Sequence, residues 1–249
     1  MRLPELVAHR GYAQHYPENT LAGIAAAVCA GARYIEVDIQ LTADKVPVLF
    51  HDRKLQRVCG VDGLVHEFSL AQLRALRASE FDRFGYRYAQ TPIATLAQLV
   101  DLLGRHPQVR AFVEIKRIAV ERFGVDTVLQ QVVSALRPVR AQCTLISYSI
   151  EFLRAAQRDA YTSLGVILEK WRDRNSGAVR TLRPEFLFCD AVDLPRWGKL
   201  RVPGSRLAVY EITDPATAIK LAERGVDLVE TFAIGEMLAA FELLRARPA

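Results

Sequence analysis

Short apolar runs alternate with longer amphipathic stretches along most of the chain. Eight of the runs have the length and the β-branched or aromatic content of buried strands. They cover residues 6–10, 34–40, 111–116, 143–148, 163–168, 186–190, 207–212 and 226–232. Apolar residues recur with the helical period at residues 20–32, 95–106, 125–137, 150–159, 215–225 and 234–247. The helical pattern is weaker after the fifth and sixth strand-like runs.

Eight strand–helix alternations in 249 residues predict an α/β protein, a (β/α)8 TIM barrel. A doubly wound open sheet is the alternative. Such a sheet normally carries a glycine-rich phosphate loop after its first strand, and the residues from His9 to Tyr12 do not form one. We therefore expect a single barrel domain over residues 1–249.

Residues 43–94 break the alternation between the second strand and the second helix. The stretch is too long for a simple barrel loop, where a few residues are typical. It begins with the strand-like sequence VPVLFHD, which contains His51 and Asp52, and continues with polar and aromatic residues. We predict a small insertion over the catalytic face that starts with a strand extension carrying these two residues.

Composition and charge narrow the class of protein. Hydrophobic residues make up 51% and charged residues 24%, as in ordinary globular proteins. No apolar run reaches the roughly 18 residues of a membrane span, and the N-terminal sequence does not resemble a signal peptide. We expect a cytoplasmic protein without stable membrane insertion. A homodimer is left open.

The formal net charge of +5 is spread along the chain, without a long basic run. We therefore expect no nucleic-acid partner, while a modest positive field suits a small anionic substrate. The four cysteines have neither the spacing of a zinc site nor that of a disulfide framework.

Acidic residues occupy alternate positions near the ends of neighbouring predicted strands. Side chains at positions i and i+2 of a strand point to the same side. Glu36 and Asp38 form such a pair on the second strand, and Glu114 and Lys116 repeat it on the third. His9 lies at the end of the first strand. Barrel enzymes build their active sites at these carboxyl ends.

Three converging acids repel one another unless a cation compensates their charge. Glu36, Asp38 and Glu114 offer hard oxygen ligands, which suit Mg²⁺ or Ca²⁺ better than zinc. The alternative is an internal cluster of salt bridges to Arg10 or Lys116. Three acids on adjacent strands, with two histidines nearby, favour the metal site.

His9 and His51 each end a strand-like run beside the acids and are candidates for an acid–base pair. Cleavage of a phosphodiester needs a base for the nucleophile and an acid for the leaving alkoxide. Cationic side chains must also offset the charge on the phosphate oxygens. Arg10 and Lys116 are candidates for that role.

These motifs together resemble the glycerophosphodiester phosphodiesterase family, of the cytoplasmic bacterial type. The likeness lies in five elements in order: His9-Arg10-Gly11, Pro17-Glu18-Asn19-Thr20, Glu36-Val37-Asp38, His51-Asp52 and Glu114-Ile115-Lys116. The resemblance implies a TIM barrel and metal-dependent hydrolysis of glycerophosphodiesters to sn-glycerol 3-phosphate and an alcohol. A glycerol hydroxyl would attack first and form a cyclic phosphate, which water then opens.

The resemblance also implies a role for each motif residue. The general acid and base would be His9 and His51, and the ligands of Ca²⁺ or Mg²⁺ would be Glu36, Asp38 and Glu114. Arg10 and Lys116 would bind the phosphate of the substrate. Supporting residues would be Glu18, Asn19 and Tyr210. Asn19 is equally a candidate for the N-cap of the helix that begins at Thr20.

Two segments depart from the family pattern. Near the seventh strand the family usually has Trp-Thr-Val-Asn, where this chain has Tyr210-Glu211-Ile212-Thr213. After the eighth strand it usually has Thr-Asp, where Thr231 and Phe232 follow Glu230. Neither departure removes a proposed metal ligand or histidine. Both leave the preferred alcohol open.

Three other readings remain at this point. A lysophospholipase D or sphingomyelinase D-like phosphodiesterase would use a similar barrel on a lipid substrate. A non-catalytic barrel would bind a phosphoester without turnover. A zinc metallohydrolase is disfavoured, because Arg10 and Gly11 follow His9 where a His-x-His pair would be expected.

Overall fold

The structure, a computed structural model, describes residues 2–246 of the 249-residue chain. Its strands are β1 (Glu5–His9), β2 (Tyr34–Leu41), β3 (Pro47–Leu49), β4 (Arg110–Ile115), β5 (Cys143–Ser147), β6 (Leu164–Ile167), β7 (Phe186–Asp190), β8 (Arg206–Tyr210) and β9 (Leu228–Thr231). All except β3 run parallel in one ring, which closes because β1 pairs with both β2 and β9. The predicted (β/α)8 barrel is confirmed.

The α-helices are α1 (Leu21–Cys29), α2 (Gln56–Cys59), α3 (Leu70–Leu73), α4 (Phe81–Phe84), α5 (Leu96–Arg105), α6 (Arg117–Phe123), α7 (Val125–Leu136), α8 (Ile150–Arg158), α9 (Gly177–Leu182), α10 (Pro215–Arg224) and α11 (Ile234–Ala246). Each predicted helix is present, although position 247 of the last lies outside the described residues. The segment after β7 has only a short 3-10 turn, Ala191–Asp193, before β8. None of the helices within residues 2–246 has the length and apolarity needed to cross a membrane.

Side-chain caps explain why several helices begin where they do. Thr20, Thr95, Ser149 and Asp214 each accept a hydrogen bond from the backbone N–H three residues further on. Such caps pair backbone donors that a helix leaves unsatisfied at its first turn. The capping role considered for Asn19 is therefore wrong, because Thr20 caps α1.

The inside of the barrel changes from apolar to polar along the strands. The buried apolar cluster there consists of Val7, Phe112, Ile146, Ile167, Phe186, Phe188, Ala208 and Leu228. Two residues further along five of the strands, on the same face, stand His9, Glu114, Tyr148, Tyr210 and Glu230. The apolar cluster thus forms a floor beneath a polar ring at the carboxyl ends.

Residues 43–94 connect β2 to α5 and contain β3, three short α-helices and two 3-10 turns. Strand β3 runs antiparallel to β2 and ends at Leu49, so His51 and Asp52 follow the strand instead of lying in it. This corrects the predicted extent of the strand extension. The Gln40 amide holds the turn in place by donating to the carbonyls of Phe50 and Asp52, at 3.1 and 2.6 Å.

Gly11 lies in the tight turn after β1, with a φ of +82° that L side chains rarely adopt. An added Cβ would also stand 2.9 Å from backbone atoms of Gly23 and Ile24. We expect Gly11→Ala to lower the free energy of unfolding by about 2–4 kcal/mol, because strain and clash combine. Urea unfolding followed by circular dichroism measures this loss.

Gly104→Ala is the matched control, because Gly104 lies in α5 and an added Cβ meets nothing within 4 Å. That substitution should stabilise the protein by roughly 0.5–1 kcal/mol. Equal unfolding midpoints for the two variants would contradict the account of the turn.

Candidate active site

The strand register brings the predicted acids together at the carboxyl end of the barrel. His9 stands opposite Glu36, and Asp38 stands opposite Glu114. One oxygen from each of Glu36, Asp38 and Glu114 lies within 4.8 Å of the others. Lys116, immediately after β4, places its Nζ 2.9 Å from Glu114 and 3.2 Å from Asp38.

Asp38 is the most completely paired of these acids. Its carboxylate lies 3.2 Å from Lys116 Nζ and 3.3 Å from Arg10 Nε. Asn19 donates to it at 2.8 Å and accepts from its backbone N–H at 3.0 Å. Burial opposes ionisation, but the charges of Lys116 and Arg10 outweigh it and hold the pKa of Asp38 well below its usual range.

Glu36 has the opposite electrostatic environment. One oxygen accepts the Arg10 backbone N–H at 3.2 Å, while the other has no hydrogen-bond partner in the described part of the chain. Burial, and the nearby charges of Asp38 and Glu230, raise the pKa of Glu36 well above its usual value of 4.5. Burial also raises the pKa of Glu114. Negative charge is therefore costly at both positions.

The balance of charge allows a test of whether the residues fit a cation. Four buried carboxyls line this end of the barrel: Glu36, Asp38, Glu114 and Glu230. A cavity opens at this end of the barrel. Among the residues that line it, Arg10 and Lys116 are the positive side chains beside the four carboxyls. Converging oxygens with uncompensated charge fit a hard divalent cation such as Ca²⁺ or Mg²⁺. The donor set of Glu36, Asp38 and Glu114 passes this test.

His9 is buried beside the acids. Its Nε2 lies 3.5 Å from Glu36, and its Nδ1 lies 3.1 Å from Glu211 without the alignment of a full hydrogen bond. The ring stacks on Phe232, with 4.9 Å between centroids and 8° between planes. Burial lowers the pKa of His9, which favours the neutral imidazole.

His51 reaches the site from the turn between β3 and α2. Its Nδ1 lies 2.8 Å from Asp52, and Arg57 grips the Asp52 carboxylate with two hydrogen bonds of 2.7 and 2.8 Å. Arg57 also donates to both oxygens of Glu18, at 2.6 and 3.1 Å, and Glu18 accepts from Arg10 at 3.2 Å. Arg57 therefore links the surroundings of His51 to those of Arg10.

Several residues at the site did not follow from the sequence patterns. Arg57 lies in residues 43–94, where no strand or helix period gives its position. Tyr148, whose hydroxyl lies 2.8 Å from that of Tyr210, follows Ile146 by two positions. The rule that paired Glu36 with Asp38 would have placed it inside the barrel.

Two spaces adjoin the acids. A narrow cavity of about 90 Å³ reaches down to the apolar floor, and both His9 and Glu230 line it. A wider groove of about 360 Å³ leads away past Tyr148. Its outer wall is made of charged residues: Arg53, Arg117, Glu121 and Glu169. His51, Glu114, Lys116 and Tyr148 line both spaces.

Comparison with known proteins identifies relatives of this chain. The model of the glycerophosphoryl diester phosphodiesterase family matches residues 9–176. A glycerophosphodiester phosphodiesterase of Caldanaerobacter subterraneus subsp. tengcongensis is 37% identical over 99 residues, 40% of each protein. The chain spans less than half the length of the first curated relatives it matches, 40% and 43%. YhdW of Bacillus subtilis, provisionally named a glycerophosphodiester phosphodiesterase, is 26% identical over 91% of this chain and 93% of its own.

A solved structure agrees with the barrel architecture. A phosphodiesterase of Oleispira antarctica, in complex with its product sn-glycerol-3-phosphate, superimposes with a TM-score of 0.83. The match covers 96% of this chain and 97% of the other, at 24% sequence identity. At that level of identity the likeness supports the fold.

Proposed function

Because the chain belongs to the glycerophosphoryl diester phosphodiesterase family, we propose that it hydrolyses glycerophosphodiesters to sn-glycerol 3-phosphate and an alcohol. The observation that carries the proposal is the meeting of two histidines, three acids and two cations at one end of the barrel. The similar O. antarctica phosphodiesterase binds sn-glycerol-3-phosphate as its product, which is the product proposed for this chain.

Cationic side chains and a divalent cation would share the charge of the phosphate. Arg10 and Lys116 border the cavity beside the acids and would bind the non-bridging oxygens. Glu36, Asp38 and Glu114 would hold one Ca²⁺ or Mg²⁺. Such an ion, when bound, stabilises the negative charge that develops on phosphate oxygens in the transition state.

The two histidines do not line the same spaces, which suggests a different catalytic role for each. Of the two spaces, His9 lines only the narrower cavity, whereas His51 also borders the groove. His9 would take the proton of the glycerol hydroxyl beside the phosphate as that oxygen attacks phosphorus. His51 would protonate the alkoxide that leaves into the groove, completing a cyclic phosphate and a free alcohol.

Water then opens the cyclic phosphate with the roles exchanged. His51 would take a proton from the water as its oxygen attacks phosphorus, and His9 would return a proton to the glycerol oxygen. Asp52 would orient His51 throughout, and Arg57 would hold Asp52 in place.

The barrel over residues 1–249 would act as one catalytic domain, with residues 43–94 as an insertion over its catalytic face. The contacts of His51 and Arg57 with the site support this placement. A cytoplasmic location is also part of the proposal. The four cysteines are free thiols, as expected in a reducing compartment.

A metal-screened assay tests the proposed activity. The protein, stripped with a chelator, is supplied with Ca²⁺, Mg²⁺ or Zn²⁺ and with glycerophosphocholine, glycerophosphoethanolamine or glycerophosphoglycerol. We expect glycerol 3-phosphate with Ca²⁺ or Mg²⁺, detected by a coupled enzyme, and less with Zn²⁺. No turnover with any ion, or release of phosphocholine in place of choline, would contradict the proposal.

A further inference from the structure

Glu230 is a buried acid that the proposed mechanism does not use. It is 3% exposed, and its Oε1 has no hydrogen-bond partner among residues 2–246. Burial, together with the charges of Glu114 and Asp38, raises the pKa of Glu230 well above its usual value. Leaving a buried polar group unpaired costs about 1–3 kcal/mol, so such a group calls for an explanation.

The proposed metal ligands do not account for Glu230. The group of converging oxygens consists of Glu36, Asp38 and Glu114, on β2 and β4. Glu230 lies on β9, on the far side of β1, and lines the narrower cavity. A polar partner from outside the protein would therefore reach Glu230 through that cavity.

The cavity itself limits what that partner can be. Besides Glu230, the cavity is lined by the apolar side chains of Ile146, Ile167 and Phe188, which stand on β5, β6 and β7. Its volume of about 90 Å³ has room for a few non-hydrogen atoms but not for an acyl chain. A short carbon chain bearing a hydroxyl would cover the apolar floor and present that hydroxyl to Glu230. Since a hydroxyl both donates and accepts, it pairs with either protonation state of a carboxyl.

We propose that Glu230 binds the terminal hydroxyl of the glycerol unit and makes the protein selective for diesters whose glycerol hydroxyls are free. The inference rests on the proposed function and adds a specificity-determining residue to it. The constant glycerol unit occupies the narrower cavity, while the wider, charged groove receives the alcohol, which varies. An acyl group on the terminal hydroxyl removes the donor and exceeds the space.

Two substrates isolate this contact. sn-Glycero-3-phosphocholine carries both hydroxyls, whereas 2-hydroxypropyl phosphocholine keeps the attacking hydroxyl and lacks only the terminal one. We expect the unmodified protein to prefer the first by roughly 100-fold in kcat/KM, because the second substrate leaves the buried Glu230 carboxyl unpaired. Glu230→Leu should reduce kcat/KM for the first by a similar factor and change the second less than about threefold.

Two further variants separate recognition from general damage. Glu230→Gln keeps a hydrogen-bonding group and should retain most of the preference. Glu242→Gln removes a charge on α11, beside the opening at the opposite end of β1, and should leave both rates unchanged. An equal fall for both substrates in Glu230→Leu would overturn the proposal.

A binding measurement makes the inference independent of turnover. Calorimetry compares glycerol 3-phosphate with 1,2-propanediol 1-phosphate, on the unmodified protein and on Glu230→Leu. We expect the unmodified protein to bind glycerol 3-phosphate more tightly and the variant to lose that difference. Tight, selective binding without turnover would count against the proposed function alone. Normal turnover with no selectivity would count against the role of Glu230 alone.

Discussion

We expect His9→Ala and His51→Ala each to lower kcat for glycerophosphocholine hydrolysis by about 10²–10⁴-fold, the usual contribution of a general acid or base. Each substitution removes a proposed proton carrier that borders the cavity, while the acids and the two cations proposed to bind phosphate stay in place. Steady-state kinetics with glycerol 3-phosphate detection measures the loss. His106→Ala, at the C-terminal end of α5, is the control and should leave kcat unchanged.

The leaving group distinguishes the two histidines. A p-nitrophenyl ester of glycerol 3-phosphate expels a stable phenolate that needs no proton. His51→Ala should therefore release p-nitrophenolate in the first step at close to the rate of the unmodified protein, whereas His9→Ala should not, because the attacking hydroxyl still needs a base. Opening of the cyclic phosphate should stay slow in His51→Ala, because that step needs His51 as its base. Recovery in His9→Ala instead would exchange the roles. Full activity of both variants on glycerophosphocholine would contradict the proposed acid–base roles of His9 and His51.

Opposite changes in stability are expected at two neighbouring acids when no divalent cation is present. Glu36→Gln should raise the free energy of unfolding by about 1–2 kcal/mol, because it replaces a buried carboxyl that its neighbours repel. Asp38→Asn should lower it by about 3–5 kcal/mol, the usual loss when one partner of a buried ion pair is removed. Thermal unfolding in chelator measures both.

The pH dependence of the metal-free protein follows from the same shifts. The folded-state pKa of Glu36 is raised above the usual value of 4.5. The contribution of Glu36 to the free energy of unfolding is therefore fully present below about pH 4.5 and is lost as the pH rises through the folded-state pKa. Glu36→Gln should remove that decline. The folded-state pKa of Asp38 is lowered, so its contribution is present above its usual value of 3.8 and is lost on acidification.

Added Ca²⁺ or Mg²⁺ completes the comparison. A bound ion stabilises the folded state by mass action, so the unmodified protein should unfold at a higher temperature in its presence. Both variants should lose most of that increase, because each lacks one of the proposed metal ligands. Asp101→Asn, on the exposed face of α5, should keep it. Unfolding shifts of the same sign for Glu36→Gln and Asp38→Asn in chelator would contradict the charge arrangement.

The sequence pattern predicts the residues of this site that lie on regular strands. Alternation within a strand places Glu36 beside Asp38 and Glu114 beside Lys116, and a parallel barrel brings those strand ends together. Local rules therefore suffice for this half of the site. Apolar residues alternate with these charged residues and point to the outer face of the strands. Their presence indicates strands that are buried on both sides.

The remaining parts depend on contacts that no local pattern encodes. Arg57 reaches Glu18 across a span of 39 residues, from a segment without periodicity. In the sequence, Glu211 and Glu230 stand out only because the segments that contain them depart from the family pattern near the seventh and eighth strands. Their meeting with His9 and the cavity needs the closure of β8 and β9 onto β1. The predicted strand extension is too long for a related reason: β3 ends at Leu49, and the carbonyl of the next residue, Phe50, accepts from the Gln40 side chain ten residues earlier.

The residues of the site divide by strand into two sets. Every proposed proton carrier and metal ligand stands on β1, β2, β4 or the turn after β3, whereas β8 and β9 supply Tyr210 and Glu230 to the wall of the narrower cavity. Substitutions at these two positions are therefore expected to change which glycerol unit the cavity accepts, while the residues proposed for catalysis stay in place on other strands.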